Sequence, residues 1–548
     1  MDIHVLPRMV LLFDITVDMS LQVHDLSYIH PDREILFQGI DFSVEENTKC
    51  AIIGHNGSGK STLLRIMAFR LKPASGFVHC ESEPYFIPQH FGQYDSLTVA
   101  EALGISDELQ ALHAILNGDV SESNFARLND KWGIEEQATE ALGQWGIGHI
   151  ALDARLDTLS GGEKTKVFLS GIRLHHPEIV LMDEPTNHLD LAGRKMLYDY
   201  IGRSSETLVV VSHDRAMLNM MSALYEMSAD GVRFYPMNYD SYKAQKDAEI
   251  QSKVAQLENR QKELKKARKE ARDAMERQQK HSVRGEKRNE KKGIARIVMG
   301  NLQDRAENST SRLNRVQQEK LQAMRDEISD IRSSIADTDT MKIDFGASGL
   351  HNGKRLIDAR QINFTYGENR KLWQENLSLT VYSGERIWLT GNNGSGKSTL
   401  LKLITGMLEP SEGTVHIADN LRYVYLDQEY SLIRDDSTVL EQITGFNPIM
   451  PEHELKICLD RFLFPRDVWD KKCVCLSGGE RMRLALCCLM VSQSAPDVII
   501  ADEPTNNIDI ANIDILTAIL NGYKGTLIVV SHDTGFIEEL GMDRKLDL

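Results

Sequence analysis

The chain has 548 residues, enough for about three domains with buried cores. Hydrophobic residues make up 41% and charged residues 26%, an ordinary globular balance, and no run approaches the roughly 18 apolar residues of a membrane span. The net charge of −17 argues, as an average, against a nucleic-acid partner; the seven cysteines, an odd number with no C-x-x-C spacing, point to reduced thiols and a cytoplasmic location.

Residues 1–20 read as an N-terminal extension. Its apolar run, Met9 to Phe13, ends at Asp14 and lacks a signal-peptide cleavage pattern. Met19 is a second candidate start, since a regular pattern begins only at Leu21. The apolar segment Cys50 to Ile53 predicts a strand, and Ser61 to Ala68 predicts a helix. Between them lies GHNGSGKST, Gly54 to Thr62. G-x-x-x-x-G-K-S brings backbone N–H groups against phosphate oxygens and aims the positive end of a helix at them. Gly54, Asn56, Gly57, Gly59, Lys60, Ser61 and Thr62 are therefore candidate phosphate-binding residues. Lys60 is expected to reach β- and γ-phosphates, and Ser61 to ligate Mg²⁺. LSGGE follows at Leu159 to Glu163, and a second apolar strand, Ile179 to Met182, ends in Asp183 and Glu184. Asp183 is placed to hold Mg²⁺ or its waters, and Glu184 to polarise the water attacking a γ-phosphate. His213, in VVVSHD, lies 29 residues after Glu184 at a strand end and is a candidate γ-phosphate contact.

From about Tyr239 to Asp344 the composition changes. Glycine is absent from Tyr242 to Arg284, and proline is absent throughout. Ile250, Val254, Leu257 and Leu264 fit one helical face, continued by Ala271 and Met275. Leu321, Met324, Ile328, Ile331 and Ile335 alternate steps of three and four, a heptad seam. Two long helices joined by a turn marked by Gly285, Gly293 and Gly300 predict an antiparallel hairpin, with a first helix of about 40 residues, roughly 60 Å. From Lys243 to Arg312 there are 20 Lys or Arg and 11 Asp or Glu, a local charge of +9 that leaves −26 on the rest. A basic spike on an acidic body suits a focused nucleic-acid contact, with Arg284, Lys287, Arg288, Lys291, Lys292 and Arg296 as its candidate residues.

The last segment repeats the first. GNNGSGKST runs from Gly391 to Thr399, LSGGE from Leu476 to Glu480, ADEPTNNID from Ala501 to Asp509 and IVVSHD from Ile528 to Asp533. The same chemistry falls on Gly391, Asn393, Gly394, Gly396, Lys397, Ser398, Thr399, Asp502, Glu503 and His532. Lys60 and Lys397 are 337 residues apart, but Ser160 and Ser477 only 317, so the first copy carries 20 extra residues, which the spacing confines between His90 and Leu159. Apolar strands alternating with helices predict, in each copy, an α/β unit with a mainly parallel sheet and its ligands at the strands' carboxyl ends.

A phosphate loop with LSGGE, DEPTN and SHD resembles the signature set of the ATP-binding cassette superfamily. That resemblance implies a head-to-tail pairing: Ser160, Gly161 and Gly162 complete the site of Lys397, and Ser477, Gly478 and Gly479 complete the site of Lys60. It further implies that Tyr28 and Tyr366, 26 and 25 residues before Gly54 and Gly391, stack on adenine, and that Gln89 and Gln428 contact metal and water. Two cassettes on one chain, a helical linker between them and no membrane domain resemble the ABC-F family. The resemblance implies a monomeric ATPase using ATP and Mg²⁺, with a linker that reaches the P-site tRNA and peptidyl-transferase region of the ribosome. It also implies a role as a translation factor or as a ribosomal protection protein in antibiotic resistance, and reads the surplus near residues 90–155 as a short "arm". The expected domains are a first cassette at 21–238, a linker at 239–345 and a second cassette at 355–548. The alternative is the ATPase subunit of an ABC transporter, which would need a separate membrane partner and leave the basic linker without a role.

Overall fold

The computed structural model describes residues 19–31, 33–228, 231–290, 315–316, 318–332, 350–351, 353–367 and 371–548. The chain divides into two compact units, one of Met1–Tyr239 with Met341–Leu548 and one of Asp240–Thr340.

The first unit contains both cassettes. In the first cassette a six-stranded sheet runs in the order Tyr85–Ile87, Ile179–Asp183, Thr207–Val211, Lys49–Ile53, Ala223–Ser228 and Gly231–Tyr235, parallel except for the last pair. Ile179–Asp183 and Thr207–Val211 are buried at every position, as a parallel strand covered on both faces must be. A three-stranded antiparallel sheet, with Met19–Ile29 between Ile35–Glu45 and Ser75–Cys80, packs on the phosphate-loop helix Lys60–Met67 around Leu21, Leu63, Leu64 and Met67. The second cassette repeats the plan in five strands, ordered Tyr423–Leu426, Val498–Asp502, Thr526–Val530, Arg386–Thr390 and Arg544–Asp547, with Arg355–Asn363 central in its own antiparallel sheet. Register sets each strand-end aspartate beside the end of the neighbouring strand, just before SHD: Asp183 pairs with Val211, and Asp502 with Val530.

The surplus of the first cassette is helical. Thr98 and Thr438 cap equivalent helices with capping boxes and bridge to Arg155 and Lys472. The step from Thr98 to Arg155 is 57 residues against 34 from Thr438 to Lys472. Three helices, Ser106–Leu116, Glu122–Leu128 and Ile134–Gln144, fill it where the second cassette has Glu452–Arg461.

A helix of 52 residues, Tyr239–Glu290, about 78 Å long, belongs in all but its first residue to the second unit. It is longer than the sequence suggests because Gly285 lies inside it; one glycine costs a helix only about 1 kcal/mol, and the flanking charged residues are good helix formers. Residues 318–332 are helical, with Leu321, Met324, Ile328 and Ile331 half-buried on one face. Ile250, Leu257, Leu264 and Ala271 are half-buried on the long helix, and Arg260 Nε lies 3.6 Å from Glu327. Gly293, Gly300, Lys291, Lys292, Arg296, Ile335 and the run Met9 to Phe13 lie outside the described residues. Among the described residues no helix is long and apolar enough to cross a membrane.

Candidate active site

Both phosphate loops join a buried strand to a helix through left-handed glycines. Gly59 and Gly396, at φ 97° and 95°, are the residues before the helices Lys60–Met67 and Lys397–Ile404. A Cβ at Gly59 would come 2.8 Å from the Phe37 side chain, and one at Gly396 2.7 Å from that of Leu372, so a substitution at either turn is both strained and crowded.

In the first loop Lys60 Nζ donates to the carbonyls of Gly54 (2.7 Å) and His55 (2.9 Å), and Ser61 Oγ donates to Asp183 Oδ1 at 2.9 Å. Burial lowers the pKa of Lys60, opposed by Glu184, Asp509 and Asp183. Glu184 sits at φ 46°, with its N–H on the Val211 carbonyl at 2.8 Å. Its Oε2 accepts from the His213 N–H at 3.3 Å, and His213 Nε2 lies 3.4 Å from Oε1. Burial, then the neighbouring Asp183, raises Glu184 to about 8; burial, then Lys60, lowers His213 to about 3. Each shift favours the neutral form, so this close approach is a contact of weakly charged groups rather than a strong ion pair.

The second loop repeats the geometry. Lys397 Nζ donates to Gly391 and Asn392 carbonyls at 2.8 and 3.0 Å, and Ser398 Oγ to Asp502 at 3.1 Å. His532 Nε2 lies 3.2 Å from Glu503 Oε1, with Glu503 raised by burial to about 7 and His532 lowered by burial to about 4. Tyr425 also donates to Asp502, at 2.6 Å, where the first cassette has Phe86.

Each loop opens on a cleft, of about 570 Å³ in the first cassette and 490 Å³ in the second. Lys60, Ser61, Thr62, Gln89, Glu184 and His213 line the first; Lys397, Ser398, Thr399, Gln428, Asp502, Glu503 and His532 line the second. The second cleft is walled by the opposite cassette through Ser160, Gly161 and Gly162. The first is walled by Asn506, Asn507 and Ile508, and Ser477, Gly478 and Gly479 are not among its lining residues. Gly479 is instead backed by Asn512, whose Nδ2 lies 2.3 Å from the position a Cβ would take.

The arrangement suits a triphosphate. Among the described residues twelve buried side-chain atoms lack hydrogen-bond partners, and six of them fall in the two phosphate sites: Ser58 Oγ, Glu184 Oε1, His213 Nδ1 and their counterparts Ser395 Oγ, Glu503 Oε1 and His532 Nδ1. Both lysines meanwhile spend their donors on their own loop carbonyls. Buried donors and acceptors left this way are expected to be met by a ligand or its waters. Ser61 with Asp183, and Ser398 with Asp502, offer oxygen donors of the kind Mg²⁺ takes alongside phosphate.

Tyr366 lines the second cleft, 61% exposed, its hydroxyl 2.8 Å from Thr399 Oγ1. Tyr28 does not line the first. It packs half-buried on the core with its ring 6.2 Å from Phe37, and His30 lines the cleft instead. The backbone explains the exchange. Ala74 N–H bonds the Ser27 carbonyl as Ser411 N–H bonds that of Asn363, so His30, three residues on from Ser27, is the counterpart of Tyr366. A one-residue difference between Leu36–Gly54 and Leu372–Gly391 hides this from counting. Arg194 lines both clefts and was not singled out by any motif. Cys473 is buried and Cys475 exposed, and no cluster of three or more metal-holding side chains occurs among the described residues.

A family model described as ABC transporter matches residues 37–187 and 374–506. The putative ATP-binding protein YdiF of Bacillus subtilis is 31% identical, covering 97% of this chain and 80% of that protein. ABC transporter F family member 5 of Arabidopsis thaliana is 30% identical over 92% and 72% of the two chains, and the energy-dependent translational throttle protein EttA of Escherichia coli K12 is 28% identical over 94% and 90%. The fold is shared with the archaeal ribosome recycling factor aABCE1, solved in complex with the stalk protein aP1 (TM-score 0.57, 20% identity, 95% of this chain and 87% of that one). With two cassettes matched and the whole layout aligned to such relatives, the chain belongs to the ABC-F family and is an ATP-binding, ATP-hydrolysing protein.

Proposed function

We propose that the chain is a ribosome-associated ATPase that binds ATP and Mg²⁺ in two clefts between head-to-tail cassettes, acting as a monomer in the cytoplasm. Its domains are then 21–238, the linker 239–345 and 355–548. The observation that carries this reading is the placement of Ser160, Gly161 and Gly162 in the cleft of Lys397, on the other cassette. A cleft walled from both sides closes only when the cassettes come together, so nucleotide binding becomes a mechanical event.

Lys60 and Lys397 are placed to leave their loop carbonyls for phosphate oxygens. Mg²⁺, held with Ser61, Asp183 and Gln89 or Ser398, Asp502 and Gln428, would neutralise developing phosphate charge. In their ionised form Glu184 and Glu503 orient water toward the γ-phosphate and take up its proton, and His213 and His532 donate to the γ-phosphate. The left-handed backbone at both glutamates fixes each carboxylate beside its histidine. Ser477 would join the first cleft only on further closure.

For the target, the name of EttA ties a relative that aligns over nearly the whole chain to translation. The basic linker supports an RNA contact, and the Arg260–Glu327 approach and the half-buried seam support an antiparallel hairpin reaching the P-site tRNA and peptidyl-transferase region. E184Q/E503Q is expected to keep ATP binding, lose hydrolysis and accumulate on ribosomes. Normal turnover, or ATP-bound protein absent from ribosomes, would sink the reading. Growth with and without ribosome-targeting antibiotics separates a translation factor from ribosomal protection.

A further inference from the structure

The two clefts differ most at one buried cation. Helices Leu191–Arg203 and Ile510–Gly522 are equivalent, each 13 residues long and capped by Asp190 or Asp509. The fourth residue of the first is Arg194; its counterpart is Ile513. Arg194 is only 8% exposed. Its Nε donates to the Leu189 carbonyl at 3.3 Å and its Nη1 to Asp214 at 3.1 Å. Tyr198, one turn on, donates to the same Asp214 oxygen at 2.5 Å.

Nothing in the second cassette repeats this. Where Tyr198 would stand there is Thr517, which donates to the Ile513 carbonyl. Asp533, the counterpart of Asp214, accepts from its own helix's Phe536 N–H at 3.0 Å and is otherwise stabilised by the charges of Arg194 and Arg215 from the opposite cassette. Asp214 and Asp533, which repel each other, line the first cleft together with Arg194, whose charge acts on both. Arg194 also lines the second cleft beside Glu503, Lys397 and His532, and among nearby charges it acts most strongly on Glu503. Ile513 lines the first cleft only.

We infer that Arg194 is a positioning residue supplied in trans by the first cassette to the second ATP site, and that its absence from the reciprocal position makes the two sites unequal, the second being the faster. It is bonded to Asp214, acts by its charge on Asp533 and lines the second cleft with Glu503, whereas Ile513 brings no charge to Glu184. This rests on the proposed reading that Glu184 serves the first cleft and Glu503 the second.

The test isolates each site. E184Q leaves turnover at the second site and E503Q at the first. Adding Arg194→Ile should lower kcat about tenfold or more in the E184Q chain, the scale expected for truncating a buried charge pair, and less than about threefold in the E503Q chain. Arg194→Lys should restore most of the second-site loss, which guards against a variant that merely folds poorly. R194I/I513R should move the advantage to the first site. Equal losses at both sites, no loss at either, or an unmoved advantage in the exchanged pair would overturn the inference. Turnover persisting in E184Q/E503Q with Arg194 intact would instead sink the glutamate assignment, and this inference with it.

Discussion

Asn393, in the phosphate loop of the second cassette, donates its side-chain amide to the main-chain carbonyl of His188 in the first, 2.9 Å away. The reciprocal bond, Asn56 to the Asn507 carbonyl, is 3.2 Å, and there the Asn56 N–H also donates to Asp509 at 3.0 Å. His188 and Asn507 both sit at positive φ, 68° and 59°. The loops that take phosphate are thus tied to the opposite cassette by their own asparagines. Asn393→Ala removes one such bond, about 1 kcal/mol, or roughly fivefold in the closing equilibrium. Asn56→Ala should cost less, because the main-chain bond to Asp509 remains. Fluorescence transfer between labels on the two cassettes, with ATP in an E184Q/E503Q background, reads the difference; a larger effect at Asn56 would contradict it.

The aromatic positions give a sharper contrast. Tyr366 is exposed in its cleft while Tyr28 packs against Phe37. Tyr366→Ala should weaken ATP binding about five- to tenfold, the scale of one lost stacking contact, with little change in stability. Tyr28→Ala should cost about 2–4 kcal/mol of stability through a core cavity and leave nucleotide affinity nearly unchanged. His30→Ala should affect affinity at the first cleft alone. Nucleotide titration and chemical denaturation on the three variants separate these outcomes, and an affinity loss confined to Tyr28→Ala would reverse the assignment of the cleft residue.

Buried carboxyls predict how the ATP-free chain responds to pH. Glu184 is raised to about 8 and Glu503 to about 7, both mainly by burial. A carboxyl whose folded pKa lies above its unfolded value of about 4.3 favours the fold while protonated, and that advantage is lost as pH rises through the folded value. Stability of the ATP-free protein should therefore fall between about pH 5 and 8. E184Q/E503Q should remove most of that slope and raise the thermal midpoint at pH 8 by a few degrees, at roughly 2–4 °C per kcal/mol for a unit the size of one cassette. His213 and His532, lowered to about 3 and about 4, act in the opposite sense, costing stability as pH falls below about 6.5. Thermal midpoints unchanged by the double substitution across this range would show that the carboxylates are not desolvated in solution.

What the sequence made legible follows from how local each feature is. The phosphate loops, the acidic strand ends and the SHD histidines are fixed by short segments, because glycine geometry and strand burial leave few alternatives; every residue from Gly57 to Thr62 except Ser58 lines its cleft. Repetition also located the surplus helices of the first cassette. What it hid depends on chain passages of unequal length or on tertiary packing. His30 was masked by a one-residue difference in a loop, and Gly285, read as part of a turn, lies within a helix that its neighbours sustain. Arg194 stands outside every motif, and its position matters only because a second cassette meets it. The absence of Ser477 from the first cleft could not be read either, since it depends on how far the cassettes have closed on each side.

The last prediction concerns the linker, on which the ribosomal reading depends. It is the basic part of an acidic chain, with +9 between Lys243 and Arg312 against −26 elsewhere. Long-range steering by such a charge should be screened within about 8–10 Å at ordinary salt, so binding must come from direct contacts to phosphates. Each phosphate neutralised releases counterions, and affinity then falls with salt by about 0.7–0.9 logarithmic units per contact. Replacing Arg284, Lys287, Arg288, Lys291 and Lys292 with glutamine removes up to about five contacts, so the salt slope of ribosome binding should flatten by up to roughly four units. Basal ATP hydrolysis should persist, because all five lie in the Asp240–Thr340 unit while the residues lining the clefts belong to the other. Glutamine keeps the helix propensity of the 52-residue Tyr239–Glu290 segment, so circular dichroism should be unchanged and the loss attributable to charge. Sedimentation with ribosomes at a series of salt concentrations measures both affinity and slope. An unchanged slope with unchanged affinity would mean that the charge only solvates a helical pair, and the ribosome would lose its place in the proposed function.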